Sequence, residues 1–489
     1  MERKLTDQEI AKREQLKKLQ DLNLDPYKIN SFHITHTSLL FKSEFNKFSK
    51  ESLHDDKTQI SLAGRVMAIR QTFAQLQDDS GTIQIYINKK ETPEVFNLFN
   101  EMISVGDIIG VIGTPMKTNT GELTIKVQKI VVLSKALKPL PEKWHGLQDD
   151  ELRARHRYVD LIMNSASKSV FYLRSIILRE LRNFFDHEGF LEVETPILHP
   201  QLGGAAAKPF ITHHNTLDRD YFLRVATELP LKKIIVGGFG KVYELGRNFR
   251  NEGMDTMHNP EYTSLEAYQA YASYEDMMNI VEKVFRYLAT KLGKMQINYK
   301  GVDLDFSKPF ARIDMAKFVK QETNIDFDKI ESDQEAIALA KKHNLELKPH
   351  MTKKGHILNL FFEQFCEEKC LQPTFVIGHP IEVSPLAKKD SKHPHKTERF
   401  ELFICGKEYC NAFSELNDAI EQAQRFNNQL KERELGNYEA NDMDHDFINA
   451  LEYGMPPTGG LGLGVDRIVM LFTNQTSIKD VLFFPHMKD

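Results

Sequence analysis

The chain has 489 residues, of which 41% are hydrophobic and 27% charged, with a formal net charge of −5. This composition is that of an ordinary globular protein of two or three domains, and the net charge excludes a uniformly basic nucleic-acid binder. The sequence contains no apolar run long enough to cross a membrane, and its charged start is unlike a secretion signal. Four cysteines favour a reduced, intracellular compartment, and their spacing argues against a four-thiolate zinc site.

Residues 1–55 form a charged segment with a helical pattern, in which Ile10, Leu16 and Leu19 lie among lysine, arginine and glutamate. Such a segment either packs on a larger body or serves as a basic arm for RNA, and its charge density favours solvated faces. Residues 1–140 hold 20 Lys and Arg against 17 Asp and Glu, so nucleic-acid contact is favoured at this end of the chain.

Residues 56–138 have the pattern of five short strands with one helix after the third. This order predicts an OB-fold barrel, a fold that binds single-stranded nucleic acid by stacking bases on aromatic side chains. Phe73 and Gln84, on adjacent predicted strands, are candidates for such contacts, although a strand phenylalanine is also a common core residue. The predicted strands lie at 60–66, 73–77, 83–87, 105–111 and 121–125, and the helix at 93–102.

Residues 139–165 are predicted to form a linker, and residues 166–489 a second, larger domain. A helix begins near Ser167, is stopped by Gly189, and is followed by a strand that ends at Pro196 and suits a sheet edge or an interface. The strands that follow predict a large antiparallel sheet with flanking helices, interrupted by a charged helical insertion at about 312–372. The fold class is therefore α+β, with an OB-fold barrel ahead of this sheet.

The most informative stretch follows a predicted strand at 242–245. If that strand continues, its period of two puts Arg250 and Glu252 on one face, and a second strand puts Glu266 and Tyr268 on one face. A fixed cation beside fixed carboxylates suits a ligand that carries both phosphate and ammonium groups. A surface ladder of salt bridges is the alternative for an isolated motif of this kind.

These motifs occur in the order found in class II aminoacyl-tRNA synthetases. The long helix ending in a strand and Pro196, the Arg250 segment, and a glycine-rich run before Arg467 resemble their three motifs. The OB-fold ahead of them resembles the subgroup of lysyl, aspartyl and asparaginyl enzymes, and within it the lysyl-tRNA synthetases. The segments that carry the resemblance are 203–205, 208–212, 224–228, 252–268, 382–388, 411–418 and 460–467.

The resemblance implies an enzyme that activates L-lysine with ATP, releases pyrophosphate, and passes the lysyl group from its adenylate to tRNA(Lys) with release of AMP. It also implies Mg²⁺ as cofactor, a cytoplasmic location and a homodimer. Arg250 and Arg467 match the catalytic arginines, and a planar bidentate guanidinium suits both the α-phosphate and the lysine carboxylate. The positions that match ATP contacts are Arg250, Glu252, His258, Asn259, Tyr262 and Arg467.

The resemblance also assigns the lysine and metal sites. Glu401 and Glu408 match metal carboxylates, and Phe73, Gln84 and Glu122 match positions that contact the anticodon. Because simple alternation through the turn at 406–407 puts Glu408 opposite the lysine-contacting residues of its strand, we expect a β-bulge near Tyr409 and Cys410. The positions that match lysine contacts are Gly204, Glu228, Glu266, Tyr268, Asn411, Phe413 and Glu415.

Three alternatives remain at this point. An aspartyl- or asparaginyl-type synthetase is one alternative, and the aspartate enzyme would need a cationic group for the substrate side chain in place of Glu415 and Tyr268. A tRNA-independent lysine ligase would share the catalytic core without the OB-fold. A non-catalytic paralogue would have lost Arg250, Arg467 or the metal glutamates, all of which are present here.

Overall fold

The protein is described by a computed structural model over residues 4–141, 149–201, 203–205, 207–437, 440 and 442–488. The chain divides into two compact units, Met1–Gln148 and Asp149–Asp489. Of the predicted linker, 139–165, residues 142–148 lie outside the described residues, and its later part forms two helices of the second unit. None of the helices in the described part of the chain has the length and apolar content needed to cross a membrane.

The first unit begins with three helices, and the first of them packs on the rest of the unit. A capping box starts this helix, since Thr6 N donates to Glu9 Oε2 at 2.9 Å and Glu9 N to Thr6 Oγ1 at 3.3 Å. Leu19 is fully buried, and Lys12 Nζ donates to the Val105 carbonyl oxygen at 2.9 Å. The expectation of solvated faces is therefore wrong for one face of this helix. The three helices are α1 Asp7–Asp21, α2 Ser38–Phe45 and α3 Lys50–His54.

The rest of the first unit is a closed five-stranded barrel with one helix after the third strand, which confirms the predicted OB-fold. The strand order is β1-β2-β3-β5-β4, and all neighbouring strands pair antiparallel except β3 and β5. Alternate residues of β2 and β3 fill the interior, because successive side chains of a strand point to opposite faces. The elements are β1 Ile60–Arg70, β2 Phe73–Gln77, β3 Thr82–Ile87, α4 Pro93–Met102, β4 Ile108–Lys117 and β5 Leu123–Ser134.

The second unit is built on an eight-stranded sheet of order β14-β15-β16-β17-β18-β11-β10-β6. Five consecutive pairs at its centre are antiparallel, but the outermost pair at each edge, β14–β15 and β10–β6, is parallel. The predicted antiparallel sheet is therefore mixed, because long crossovers containing helices separate each edge strand from its partner in the chain. The strands of the sheet are β6 Leu191–Glu192, β10 Lys241–Phe249, β11 Glu261–Ala270, β14 Ala311–Asp314, β15 Thr374–Ile377, β16 Arg399–Ile404, β17 Lys407–Ser414 and β18 Thr458–Gly464.

Smaller strands lie outside this sheet. A three-stranded sheet of order β7-β9-β8 precedes the β10–β11 hairpin in the chain, and a two-stranded hairpin precedes β14. These strands are β7 Leu198–His199, β8 Ile211–His214, β9 Arg219–Leu223, β12 Gln296–Tyr299 and β13 Val302–Asp305.

The helices cover the main sheet on both faces. The largest core lies between the sheet and α7, α9 and α15, and a smaller one packs α8, α13 and α14 against the opposite face. The region predicted as a helical insertion contains α10 to α12, which share a core of their own. The helices are α5 Asp150–Arg155, α6 Arg157–Met163, α7 Ser165–His187, α8 Glu228–Val236, α9 Tyr274–Lys291, α10 Met315–Thr323, α11 Asp333–Lys342, α12 Lys354–Phe365, α13 Ala419–Glu434, α14 His445–Glu452, α15 Val465–Thr473 and α16 Ile478–Val481.

Candidate functional site

The hairpin of β10 and β11 supplies the centre of the site. Its register is regular from the pair Lys241–Gln269 to the pair Phe249–Glu261. Leu265 and Ala267 of β11 point into the main core, so Glu266 and Tyr268, which alternate with them, point to the opposite face of the sheet. The second predicted strand is confirmed in this respect.

Arg250 and Glu252 do not lie on a strand, because β10 ends at Phe249. The strand-face argument for this pair is therefore wrong. Arg250 is instead fixed by its backbone, whose N–H donates to the Pro260 carbonyl oxygen at 2.8 Å. Arg250 and Glu252 thus both lie in the loop that follows β10.

One cavity of about 670 Å³ is lined by every residue that the sequence assigned to ATP, lysine or metal in the second unit. Residues from β11, β16, β17, β18 and α15 meet there with the start of α8 and the loops after β7 and β10. The cavity thus joins segments that are far apart in the chain. The assigned residues that line it are Gly204, Glu228, Arg250, Glu252, His258, Asn259, Tyr262, Glu266, Tyr268, Glu401, Glu408, Asn411, Phe413, Glu415 and Arg467.

Arg250, Tyr262 and Arg467 form a cationic end of the cavity. The Arg250 guanidinium lies 5.2 Å from the centre of the Tyr262 ring, and within the described residues its buried Nε has no hydrogen-bond partner. Arg467 Nη1 donates to the Glu408 carbonyl oxygen at 2.6 Å, and its Nη2 lies 3.2 Å from His258 Nε2. Two guanidinium groups, one with a free buried donor, suit an anionic ligand such as a phosphate or a carboxylate.

Glu228, Glu266 and Glu415 gather around Tyr268 at the other end of the cavity, the carboxylate end. Glu266 Oε1 accepts a hydrogen bond from Thr227 N at 3.1 Å, and its Oε2 accepts one from the Tyr268 hydroxyl at 3.2 Å. Burial, followed by the charge of Glu228, raises the pKa of the Glu266 carboxyl. Burial also raises the pKa of Glu415 well above its usual range, and nearby Lys232 opposes that shift. A cationic ligand would relieve this repulsion, so this end favours an ammonium group.

Two glycines line this end of the cavity. Gly460 of β18 lies against Glu415 and Tyr268, and a Cβ at this position would overlap Glu415 Oε1 and lie 2.5 Å from Tyr268 Cε1. Gly204 has a φ of +92°, in the region that side chains other than glycine rarely adopt. Both positions therefore require glycine, one for close approach and one for backbone conformation.

A β-bulge re-aims the second strand of the β16–β17 hairpin, as predicted. Leu402 pairs with Cys410 and Phe403 with Glu408, so Tyr409 is the extra residue. Tyr409 and Cys410 are both buried, and beyond them the alternation restarts, which brings Glu408 to the cavity together with Asn411. The prediction of this bulge is confirmed.

Glu401 and Glu408 are the candidates for a metal site. Burial and the charge of Glu401 raise the pKa of the Glu408 carboxyl, so a bound cation would stabilise its ionised form. Among the described residues there is no group of three or more His, Cys, Asp and Glu side chains able to hold a metal ion. The pair fits Mg²⁺ nonetheless, since this ion commonly uses one or two carboxylates and completes its shell with phosphate oxygens and water.

Sequence reasoning did not identify three residues that contact the assigned residues of the cavity or of the OB-fold face. Lys232 of α8 pairs with Glu228 and Glu415, and the i, i+4 spacing from Glu228 was an available signal. Arg399 holds Asn411 and Glu401 through bonds of 2.9 Å to Oδ1 and 2.5 Å to Oε1. Tyr86, in the first unit, is paired with Phe73 across β2 and β3.

The outer face of the OB-fold carries the candidate nucleic-acid contacts. Phe73 and Tyr86 are both half-buried, and their ring centres are 4.9 Å apart, which removes Phe73 from the barrel core. Gln84 Nε2 donates to Thr124 Oγ1 at 3.1 Å, and the same hydroxyl donates to the Glu122 carbonyl oxygen at 3.1 Å. An aromatic pair beside a fixed amide suits unstacked bases.

Comparison with known proteins defines the class. Residues 149–488 match the family model described as tRNA synthetases class II (D, K and N), and residues 60–133 match that of the OB-fold nucleic acid binding domain. The chain belongs to the class II tRNA synthetases of this group, because the first match spans well over half of its length.

Within this class, the chain is similar over its full length to proteins that share one name. The chain is 58% identical over 490 residues to the lysine–tRNA ligase of Malacoplasma penetrans. It is 51% identical over 492 residues to that of Mycoplasmoides gallisepticum, and 52% identical over 496 residues to that of Staphylococcus saprophyticus. Each comparison covers 100% of this chain and 100% of the relative, which places the chain among proteins of that name.

Proposed function

We propose that this protein ligates L-lysine to tRNA(Lys) in two steps, with a lysyl-adenylate as the intermediate. The observation that carries the proposal is the shared cavity, where Glu228, Glu266 and Glu415 face the same space as Arg250. A ligand with two ammonium groups and one carboxylate matches this arrangement of charge.

In the first step a lysine carboxylate oxygen attacks the α-phosphorus of ATP. The bond from that phosphorus to the oxygen bridging to the β-phosphorus breaks, and pyrophosphate leaves with the electron pair. Arg250, whose buried Nε has no partner among the described residues, would bind the lysine carboxylate and the α-phosphate together, which would orient the reacting atoms and neutralise developing charge. Arg467 is assigned to the nucleotide on the other side, with Glu252, His258, Asn259 and Tyr262 around it.

Lysine selection is assigned to the carboxylate end of the cavity. Glu228, Glu266 and Gly204 would hold the α-ammonium group, and Tyr268 with Glu415 the ε-ammonium group. The raised pKa of buried Glu415 means that its ionised form gains from a bound cation. Asn411 is assigned to the carboxylate of the bound lysine, and Phe413 to its aliphatic stem.

Mg²⁺ bound by Glu401 and Glu408 would neutralise the ATP phosphates and the departing pyrophosphate. Arg399 holds Glu401 from the side, so this carboxylate keeps its position when the cavity is filled.

In the second step a hydroxyl of the terminal ribose of tRNA attacks the carbonyl carbon of the adenylate. The bond between this carbon and the phosphate oxygen breaks, AMP leaves, and the hydroxyl proton is released. We assign this chemistry to the domain at 166–489, and anticodon contact to Phe73, Gln84 and Glu122 of the domain at 56–138. The half-exposed aromatic pair on the barrel supports the second assignment.

The alternatives have less support. An aspartate-specific enzyme would need a free cation for the substrate side chain, whereas Lys232 at that end is already paired with two carboxylates. A tRNA-independent lysine ligase would have no use for an OB-fold, which this chain has. We also infer a homodimer, from the family resemblance around Pro196, and sedimentation at low protein concentration tests it.

ATP–pyrophosphate exchange with single amino acids tests the activity itself. We expect lysine to stimulate exchange, and aspartate and asparagine to leave it at background. Stimulation by aspartate and not by lysine would overturn the substrate assignment. Charging of a lysine-accepting tRNA transcript, against a transcript with an altered anticodon, then tests the second step.

A further inference from the structure

Lys232 of α8 is a buried cation at the carboxylate end of the cavity. Its side chain is fully buried, one helical turn after Glu228. Its Nζ lies 2.5 Å from Glu228 Oε1 and also forms an ion pair with Glu415 Oε2. The rings of Phe413 and Phe447 lie 5.4 Å and 5.8 Å from the same nitrogen. The ammonium group is therefore enclosed by two carboxylates and two aromatic faces.

The surroundings keep this ammonium group charged. Burial lowers the pKa of Lys232, but the charges of Glu228 and Glu415 outweigh this effect, so its pKa is raised. A buried charge is costly unless it is paired, and here two carboxylates compensate for the lost hydration. Lys232 is consequently a permanent positive charge inside the site.

Lys232 engages one oxygen of each partner and leaves the other to a ligand. Within the part of the chain that the structure describes, Glu415 Oε1 has no hydrogen-bond partner. This oxygen lies beside Gly460 and the Tyr268 ring, where only a glycine leaves enough space. Glu228 likewise uses Oε1 for Lys232 and lines the cavity. The internal ammonium thus fixes the orientation of both carboxylates toward the cavity.

Lys232 also sets the charge of the site. Glu228, Glu266 and Glu415 bring three formal negative charges, and Lys232 cancels one of them. The remaining two match the α- and ε-ammonium groups of lysine, while Arg250, which also lines the cavity, is assigned to the lysine carboxylate. Without the internal cation the buried carboxylates would exceed the ligand's positive charges, and one of them would take up a proton.

We propose that Lys232 is a specificity-determining positioning residue, which orients Glu415 and Glu228 and matches the charge of the cavity to lysine. This inference rests on the proposed function. Lys232 acts through its two carboxylate partners and does not itself contact the substrate. The opposite role for Lys232 would be to bind an acidic side chain of the substrate directly. Exchange measured with lysine and with aspartate separates the two roles.

Lys232→Met removes the charge and keeps a long unbranched side chain. We expect the KM for lysine in ATP–pyrophosphate exchange to rise about tenfold or more, with kcat and the KM for ATP within about threefold of wild type. The matched control is Lys233→Met, since the neighbouring Lys233 forms an exposed ion pair with Asp446 and should leave all three constants unchanged.

A pH series adds a readout that a packing role would not produce. The groups that face Glu415 are Lys232, Glu228, Glu266 and Tyr268, so loss of the ammonium leaves it among carboxylates and a phenol. In Lys232→Met the KM for lysine should therefore fall as the pH rises from about 6.5 to 8.5, because Glu415 regains its charge. The wild-type KM should vary less over the same range.

If thermal unfolding shows that Lys232→Met does not fold, the double variant Glu415→Gln, Lys232→Met tests the role of Lys232 instead. In Glu415→Gln the internal cation is left in excess, so adding Lys232→Met should lower the KM for lysine about fivefold relative to Glu415→Gln alone. A double variant with the same or a higher KM would overturn the proposal.

The outcomes also separate this inference from the proposed function. If lysine does not stimulate exchange by the wild type, the proposed function fails. If lysine stimulates the wild type and Lys232→Met matches it at every pH, only the role of Lys232 is overturned. Stimulation of the wild type by aspartate would assign Lys232 to an acidic substrate instead.

Discussion

Arg250 shows how single side chains are prepared for a ligand at this site. Its backbone is fixed by a hydrogen bond to Pro260, its guanidinium faces the Tyr262 ring, and its Nε is buried without a partner among the described residues. A buried donor without a partner is a cost to the free protein that a bound anion can remove. The residue is thus poised for phosphate or carboxylate.

Arg250→Lys is expected to lower kcat/KM for lysine-dependent ATP–pyrophosphate exchange by about 10²-fold, because an ammonium group cannot bind two anions side by side. The measurement is steady-state exchange with ATP and lysine varied in turn. Arg247→Lys is the control, since Arg247 forms a half-exposed ion pair with Glu261 at 3.4 Å. Equal activity of the two variants would remove Arg250 from the reaction.

Gly460→Ala tests the close packing of Glu415 and Tyr268. The added methyl group would overlap Glu415 Oε1 and displace it from its position. Since overpacking typically costs roughly 1–3 kcal/mol, the KM for lysine should rise about tenfold or more while the KM for ATP changes little. Gly240→Ala is the control, because a Cβ there would meet no atom within 4 Å. An unchanged lysine KM in Gly460→Ala would contradict this account.

At the scale of elements, the site depends on how strands and helices are joined. The bulge at Tyr409 brings Glu408 to the cavity face of β17, and the β10–β11 hairpin brings Glu266 and Tyr268 there. Asp466, at the start of α15, links this helix to α7 and β11 through its carboxylate. Its Oδ1 accepts from Arg174 Nη1 of α7 at 2.6 Å, and its Oδ2 from Thr263 N of β11 at 2.8 Å.

Asp466→Asn should lower the free energy of unfolding of the second unit by about 3 kcal/mol, because Arg174 would remain buried without its counter-charge. Urea unfolding followed by far-ultraviolet circular dichroism measures the change. Asp446→Asn removes the partner of exposed Lys233 and should change stability by less than about 1 kcal/mol. A similar small effect in both variants would show that the buried pair does not stabilise the junction.

At the scale of the whole molecule, the two units are built for different ligands. The first is a closed barrel with a half-exposed pair of aromatic rings and a fixed amide on one face. The second contains a cavity in which Arg250 and Arg467 lie near Glu408, while Glu228, Glu266 and Glu415 lie around Tyr268. This separation predicts that binding of tRNA and activation of the amino acid can be impaired independently.

Phe73→Ala should raise the KM for tRNA about tenfold in the charging reaction, because one base–aromatic stack contributes roughly 1–3 kcal/mol. Lysine-dependent ATP–pyrophosphate exchange should stay at the wild-type level. Phe48→Ala is the matched control, since Phe48 is an exposed phenylalanine of the same unit that lies outside the barrel strands. Equal losses in charging and exchange would contradict the division of labour.

Patterns of nearby residues allowed much of this structure to be predicted. Alternation in 60–66 and 83–87 predicted barrel strands, and helical spacing before Gly189 predicted α7, because strand and helix periods are local properties of the chain. Simple alternation put Glu408 on the face opposite the lysine-contacting residues of β17, and this mismatch predicted the bulge that the structure has. The site residues of the second unit were located through motif order, and the structure brings them to one cavity.

The sequence by itself thus determined the OB-fold order of strands and helix, the order of the motifs and the assigned residues that line the cavity. Only the tertiary structure decided which buried charges neutralise each other, which face of α1 is covered, and that the edge pairs of the large sheet are parallel. Lys232 is the clearest example, since its partner Glu415, which directly follows β17, is remote from it in the chain. Pairing of this kind depends on packing between distant segments, which no local period records.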